Sequence, residues 1–142
     1  MNTQTTISIA VADDHQLFRS GLINLIHSFG SHYKVVLEAG NGKDLLQKLE
    51  QTTLPDLVLI DLNMPVMDGF ETAKALRKNY PDLKVLMISM VDDEKTMIKL
   101  MKSGIRGYLS KSIEPEELKT ALDITYAKGF YYTDLLTGKL IN

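Results

Sequence analysis

Three aspartates stand directly after two short apolar runs, and they are the most informative feature of the sequence. Asp13 and Asp14 follow the run at 7–12, and Asp61 follows the run at 57–60. Carboxylates at the ends of buried parallel strands meet at one edge of the sheet, where their oxygens attract a hard cation such as Mg²⁺. The pattern therefore predicts an acidic cation site.

Ser89 and Lys111 are predicted to lie beside these aspartates because each directly follows a later apolar run. Two carboxylates about 4 Å apart repel by roughly 4 kcal/mol at an effective dielectric near 20, so a divalent cation would stabilise the cluster. Asp61 is then the candidate nucleophile, since carboxylates form acyl phosphates, while Asp13 and Asp14 hold the metal. Lys111 would neutralise charge on a phosphoryl group, and the Ser89 hydroxyl would donate a hydrogen bond to it.

Short β-branched runs alternate with longer segments of helical spacing along the chain. Strands are predicted at 7–12, 33–38, 57–61, 83–88 and 106–110. Helices are predicted over about 17–29, 43–51, 68–79, 93–103 and 115–128. This alternation indicates an α/β protein with a five-stranded parallel sheet and helices on both faces. The most continuous apolar runs, 57–60 and 85–88, are expected to be central strands.

The composition is that of an ordinary globular protein of 142 residues, with a net charge of -2 and no cysteine. The charge excludes a broad basic surface for nucleic acid, so contact with DNA would need another part or partner. The lack of cysteine excludes disulfides and thiolate metal sites and fits the cytoplasm. No run approaches the ~20 apolar residues of a membrane helix. We expect a cytoplasmic protein without membrane contact.

Four segments in order resemble the signatures of response-regulator receiver domains of two-component systems. They read VADDHQLFRSGL, DLVLIDLNMPVMDGFE, VLMIS and GYLSKS, and the resemblance covers about 7–128. It implies a doubly wound, flavodoxin-like sheet of strand order 2-1-3-4-5. It also implies Mg²⁺-dependent transfer of a phosphoryl group from a sensor histidine kinase to an aspartate of this chain.

The resemblance also implies a role for each acidic residue. Asp61 is similar to the family's phosphoacceptor, and Asp13 and Asp14 are similar to its acidic pair. By that resemblance Mg²⁺ is bound by Asp14, Asp61 and the backbone carbonyl of Asn63. Asp13 then acts on the metal largely through water.

Three further residues are similar to the family's switch machinery. Ser89 resembles the switch hydroxyl, Tyr108 the aromatic side chain that reorients with it, and Lys111 the invariant lysine. Asp68 and Gly69 match the turn into the third helix. The resemblance thus implies that phosphorylation moves the 89–93 loop, the fourth helix and Tyr108.

The sequence Asp13-Asp14-His15 and the tail GFYYTDLLTGKL resemble regulators whose output is a LuxR-type helix-turn-helix. We expect 1–128 to be the receiver and 129–142 to begin a linker to an output domain absent from this chain. A stand-alone receiver acting by protein–protein contact is the alternative. DNA would be contacted only through the output domain, and activation would favour a homodimer. The chain would catalyse only its own phosphorylation and dephosphorylation, so we expect no other enzyme activity.

Two other classes share part of this chemistry. An aspartate-nucleophile phosphatase carries a D-x-D motif on its first strand and an acidic pair later, whereas here the order is reversed and position 63 is Asn. A flavodoxin-like FMN module requires a hydroxyl- and glycine-rich phosphate loop after the first strand. Asp13 and Asp14 stand there instead and would repel the phosphate.

A modest basic patch is predicted around the fourth helix, from Lys95, Lys99, Lys102 and Arg106. A solvated face is its simplest interpretation, and contact with a partner is the alternative. His15 is predicted to be a capping or positioning residue and not a general base.

Overall fold

Strands and helices alternate through the described residues, 5–90 and 93–131, of the computed structural model. The strands are β1 (Ile7–Ala12), β2 (Tyr33–Ala39), β3 (Leu57–Asp61), β4 (Lys84–Ser89) and β5 (Gly107–Ser110). The helices are α1 (Gln16–Ser28), α2 (Gly42–Leu49), α3 (Gly69–Asn79), α4 (Glu94–Lys102) and α5 (Pro115–Lys128). No helix among these residues is long and apolar enough to cross a membrane.

The sheet has the order β2-β1-β3-β4-β5, and all of its strand pairs are parallel. This confirms the predicted doubly wound α/β fold with the flavodoxin-like order. The predicted bounds agree with the observed ones for β1, β3 and α5 and differ by no more than two residues for the other elements. The start of α2 is one such case: the Asn41 side chain accepts a hydrogen bond from the Asp44 backbone N–H at 2.8 Å, so the helix begins at Gly42.

Two apolar layers cover the sheet, one on each face. Leu57 and Leu59 of β3 point into the layer that contains α1 and α5 residues, and Val58 and Ile60 point into the layer that contains α2, α3 and α4 residues. Every residue of β3 is buried. Full burial of a side chain of this size stabilises a fold by roughly 1.5–3 kcal/mol. A continuous apolar run therefore occupies the middle of the sheet, as the sequence predicted.

Aspartate side chains cap the starts of α3 and α4. Asp68 accepts a hydrogen bond from the Glu71 backbone N–H at 2.8 Å and caps α3. Asp93 accepts one from the Lys95 backbone N–H at 3.0 Å and caps α4. His15 occupies the N-cap position of α1, but its side chain makes no capping hydrogen bond. Its side chain is therefore left to interact with the aspartates before it.

The connection between β3 and α3 brings backbone segments very close together. A Cβ atom at Gly69 would lie 2.4 Å from the Asp61 carbonyl oxygen and 2.7 Å from the Leu62 Cα. In the same connection Val66 has a positive φ of 69°, which a β-branched residue adopts at a cost of about 1–2 kcal/mol. The tight turn fixes where the end of β3 lies relative to α3.

Residues 129–131 continue from α5 onto the edge of the sheet. Gly129 ends the helix in the left-handed conformation, and the Tyr131 N–H donates to the Arg106 carbonyl at 2.8 Å. Tyr131 also forms an isolated parallel bridge with Gly107 of β5. The rest of the predicted tail, 132–142, lies outside the described residues, and its assignment as a linker stays a prediction.

Gly69→Ala is expected to lower the free energy of unfolding by roughly 1–3 kcal/mol, because the added methyl group overlaps backbone atoms that cannot move aside. The matched control is Gly21→Ala within α1, where a Cβ meets nothing within 4 Å. It should raise the free energy of unfolding by about 0.5–1 kcal/mol. Urea unfolding of both variants checks the pair, and equal effects would contradict the close approach at Gly69.

Candidate functional site

The carboxyl ends of the strands bring the predicted site residues to one edge of the sheet. Asp13 follows β1, Asp61 ends β3, Ser89 ends β4 and Lys111 follows β5. Asp13, Asp61 and Ser89 are almost fully buried, with exposed fractions of 1%, 3% and 0%. Polar groups excluded from water in this way need partners within the protein or a bound ligand.

The Lys111 ammonium group joins two of the buried aspartates. Its Nζ lies 2.8 Å from Asp13 Oδ2 and 3.4 Å from Asp61 Oδ2, and only 7% of the lysine side chain is exposed. The ammonium also lies over the Phe18 ring, 4.3 Å from the ring centroid. One cation is thus shared by two carboxylates, so the three groups have a net charge of -1 when both carboxylates are ionised.

The aspartates form a compact group of oxygen atoms. Ligand atoms from Asp13, Asp14, His15 and Asp61 all lie within 4.8 Å of one another, with Asp14 and His15 exposed. His15 Nδ1 lies 3.3 Å from Asp13 Oδ1 and 3.6 Å from Asp14 Oδ1, and the His15 backbone N–H donates to Asp13 Oδ1 at 2.8 Å. The cluster is therefore reachable from solvent on the side of Asp14 and His15.

The environment of Asp61 disfavours its charged form. Burial raises the pKa of Asp61 above the ordinary aspartate value of 3.8, and the neighbouring charge of Asp13 raises it further. The Lys111 ammonium lowers the pKa in part, while Asp14 adds a smaller upward effect. Without another cation, the ionised cluster is under electrostatic strain.

This site fits a hard divalent cation. Three of its four potential ligands are carboxylates, whose oxygens Mg²⁺ prefers, and their negative charge exceeds what Lys111 neutralises. The Oδ2 atom of Asp13 is buried and accepts no hydrogen bond of good geometry from the described residues, although the Lys111 ammonium lies near it. This oxygen is therefore available to a cation. Asn63 is exposed in the connection that follows Asp61, and its role as a carbonyl ligand stays a prediction.

Ser89 ends β4 at the site, and Tyr108 of β5 lies in the apolar layer that contains α4 residues. Ser89 is linked to Lys111 through the backbone, since the Lys111 N–H donates to the Ser89 carbonyl at 2.8 Å. Tyr108 is 7% exposed and belongs to the apolar layer against which Met97 and Met101 of α4 pack. Tyr108 therefore packs in the same apolar layer as the helix that is predicted to move, and the switch roles of Ser89 and Tyr108 stay predictions.

Two residues contact the site in ways that the sequence did not predict. Phe18 lies in α1, and its position over Lys111 depends on how α1 packs against the end of β5. His15 was predicted to cap or position, and the structure adds it to the acidic cluster. The only sequence signal for the contact between Phe18 and Lys111 was the position of Phe18 in a predicted helix, about one turn after the acidic pair.

A five-stranded parallel sheet with a buried aspartate, an acidic pair and a lysine at its carboxyl edge defines a class of signalling domain. The family model for the response regulator receiver domain matches residues 9–123. The chain belongs to this family.

Individual relatives identify the branch of the family. The chain is 35% identical over 144 residues to the transcriptional regulatory protein DegU of Brevibacillus brevis, covering 99% of this chain and 60% of that protein. It is 36% identical over 140 residues to the nitrate/nitrite response regulator protein NarL of Escherichia coli K12, covering 99% of this chain and 64% of that one. The chain thus spans less than two thirds of the length of both relatives.

Solved structures agree with this assignment. A LuxR-family two-component response regulator from Aurantimonas sp. SI85-9A1 superposes with a TM-score of 0.86 at 28% identity, covering 96% of both chains. The signal receiver domain of a NarL response regulator from Mycobacterium tuberculosis gives 0.79 at 31% identity, covering 88% of this chain and 99% of that one. The chain is a two-component receiver related to LuxR-type transcriptional regulators.

Asp61→Asn is expected to stabilise the metal-free protein at neutral pH, because it removes a carboxylate whose pKa is higher in the folded state than in the unfolded state. The folded state then binds more protons, so stability falls as pH rises from 3.8 through the raised pKa. The advantage of the variant should appear over that range and vanish below it. Thermal unfolding in EDTA as a function of pH measures this difference.

The control for this experiment is Asp82→Asn, since Asp82 is exposed. It should change stability by no more than about 0.5 kcal/mol at any pH. An Asp61→Asn protein that is less stable than the native protein at pH 7 would show that the Lys111 ion pair outweighs burial and repulsion.

Proposed function

We propose that this receiver is a phosphoryl-accepting switch in which Asp61 takes a phosphoryl group from a phosphohistidine of a sensor histidine kinase. The observation that carries the proposal is the buried Asp61 carboxylate beside both the Lys111 ammonium and a solvent-accessible acidic pair. Phosphoryl transfer requires chiefly positioning and charge stabilisation, and these groups supply both.

The transfer forms one bond and breaks another. An oxygen of Asp61 bonds to phosphorus while the phosphorus–nitrogen bond of the donor breaks, and the donor imidazole takes a proton from solvent. Lys111 neutralises charge on the phosphoryl oxygens, and the Ser89 hydroxyl donates to one of them. Asp13, Asp14, Asp61 and the Asn63 carbonyl would hold Mg²⁺, which when bound supplies further positive charge at those oxygens.

Apolar side chains around the site support the proposal that the phosphodonor is a protein. Leu17 is 90% exposed at the start of α1, Val66 is 75% exposed after β3, and Met90 is 72% exposed after β4. A groove of about 330 Å³ between α1 and α5 adds an apolar surface that reaches Lys111. Exposed apolar patches of this kind are typical of surfaces that bind another protein.

The new charge on Asp61 would shift the population of conformations. Ser89 and Lys111 are recruited to the phosphoryl oxygens, and the shift extends through the 89–93 loop to α4 and Tyr108. Residues 91–92 of that loop lie outside the described part of the chain. In a longer protein the shift would favour a homodimer and control a DNA-binding output domain, as the relation to transcriptional regulators supports. A stand-alone receiver that acts through protein contact is the alternative.

Turnover of an outside phosphate ester is the second candidate activity and the weaker one. It would need a general acid two residues after the nucleophile, and Asn63 stands there. We therefore propose that the chain catalyses only its own phosphorylation and dephosphorylation, in the cytoplasm where a kinase and its phosphodonor meet.

Incubation with Mg²⁺ and acetyl phosphate, followed by intact mass measurement, should yield a single adduct of one phosphoryl group that is stable in acid and labile in base. The adduct should be lost in Asp61→Asn and retained in the control Asp82→Asn. EDTA should abolish it in the native protein, because the carboxylates that surround Asp61 would repel the donor without the metal.

Three results would count against the proposal. They are the absence of an adduct on the native protein, an undiminished adduct in Asp61→Asn, and the same yield with and without Mg²⁺. Steady release of phosphate from phosphomonoesters without a lasting adduct would favour the phosphatase activity.

A further inference from the structure

A second, strongly charged feature lies between α3 and α4, away from the acidic edge. This α3–α4 groove has a volume of about 560 Å³. Its lining residues are Phe70, Lys74, Arg77, Lys78, Lys99, Lys102 and Ser103. Five of the seven are cations and none is acidic, although the whole chain has a net charge of -2. The concentration of positive charge is therefore local.

Helical spacing produces this concentration. Phe70, Lys74 and Arg77 are four and then three residues apart, so they share one face of α3. Lys99 and Lys102 are three residues apart and share one face of α4. Among residues 5–90 and 93–131, none of the five cations forms a salt bridge. Their charge is available to a ligand.

Contacts with the protein hold part of this set in place. Lys99 Nζ lies 4.3 Å from the Phe70 ring centroid, and Lys74 Nζ lies 5.3 Å from it. The Arg77 side chain packs on Gly104, where a Cβ would lie 2.5 Å from Arg77 Cδ. Three cations thus rest on fixed groups, which reduces the entropy lost when a ligand binds.

Favourable interaction with the helix dipoles explains the positions of only some of these cations. Arg77 and Lys78 lie in the last turn of α3, and Lys99 and Lys102 lie in the last turn of α4, where cations are favourable by about 0.3–1 kcal/mol. Lys74 lies in the middle of α3, outside the range of that effect. The dipoles also do not require both helices to direct their cations into one groove.

We propose that the α3–α4 groove binds an acidic peptide segment of a partner protein. Its aspartates or glutamates would pair with the cations, and an apolar side chain would contact the aliphatic stems of the lysines. The inference is independent of phosphoryl transfer, because no residue of the acidic site lines the groove.

Peptide is favoured over the other anions that cations attract. Nucleic acid is recognised by an extended basic face, whereas these five cations line one short groove of a chain whose sequence pI is about 5.9. A nucleotide base would stack on the aromatic ring, but Lys74 and Lys99 already lie over Phe70. A flexible acidic peptide can pair with the cations without displacing the lysines from the Phe70 ring.

The test uses the full chain and a fluorescein-labelled peptide of roughly 15 residues, rich in glutamate with interspersed leucine. Fluorescence anisotropy should show saturable binding that weakens as salt is added. The double variant Lys74→Gln/Lys99→Gln should bind at least about tenfold more weakly, because two charge-assisted contacts are lost. The matched control is Lys34→Gln/Lys43→Gln, which removes two exposed lysines of β2 and α2 and should bind within about twofold of the native chain.

A second pair of substitutions protects the test against a folding defect. Lys78→Gln/Lys102→Gln changes exposed residues of the same groove and should give a similar loss, with circular dichroism unchanged. Failure of the peptide to saturate, or equal losses in the groove and control variants, would overturn the proposal. Duplex DNA that binds as tightly as the peptide at equal salt, with the same losses, would identify a nucleic-acid site instead.

Discussion

The shared ammonium group of Lys111 is the interaction on which the rest of the site depends. Two carboxylates buried to this extent cannot both stay charged unless a cation lies between them. In the observed strand order β5 is separated from β3 by β4, so the lysine must extend past β4 to reach Asp61 and Asp13. The parallel sheet makes this possible because it delivers every carboxyl end to one edge.

A second constraint lies directly beside the site, where the chain turns from β3 into α3. In this turn Val66 adopts a left-handed backbone conformation, and there is no room for a side chain at Gly69. Strained residues of this kind persist where the surrounding structure determines the local conformation. Here they hold the end of the central strand, and Asp61 with it, at a fixed distance from the first turn of α3.

The strands and the identity of the edge residues could be predicted from the sequence because both depend on local patterns. Strand periodicity, the starts of the third and fourth helices near Asp68 and Asp93, and the position of Asp61 after an apolar run are each visible within a few residues. The α3–α4 groove could not be predicted in this way. The sequence grouped Lys99 and Lys102 with Lys95 and Arg106, and only the packing of two helices shows that the cations of α3 face them. The contact of Phe18 with Lys111 was missed for the same reason, since it depends on the rotation of α1.

The bridge between Tyr131 and Gly107 has a consequence for how the protein behaves in a crowded solution. A parallel sheet has two edge strands with unpaired backbone groups, and such edges invite pairing with other chains. Tyr131 occupies part of the β5 edge, and the absence of a side chain at Gly107 allows that approach, since a Cβ there would lie 2.5 Å from the Tyr131 carbonyl oxygen. The β2 edge is protected differently, by an irregular register with β1 and by the exposed charges of Lys34 and Glu38. The short segment after α5 therefore acts against edge-to-edge aggregation of the receiver.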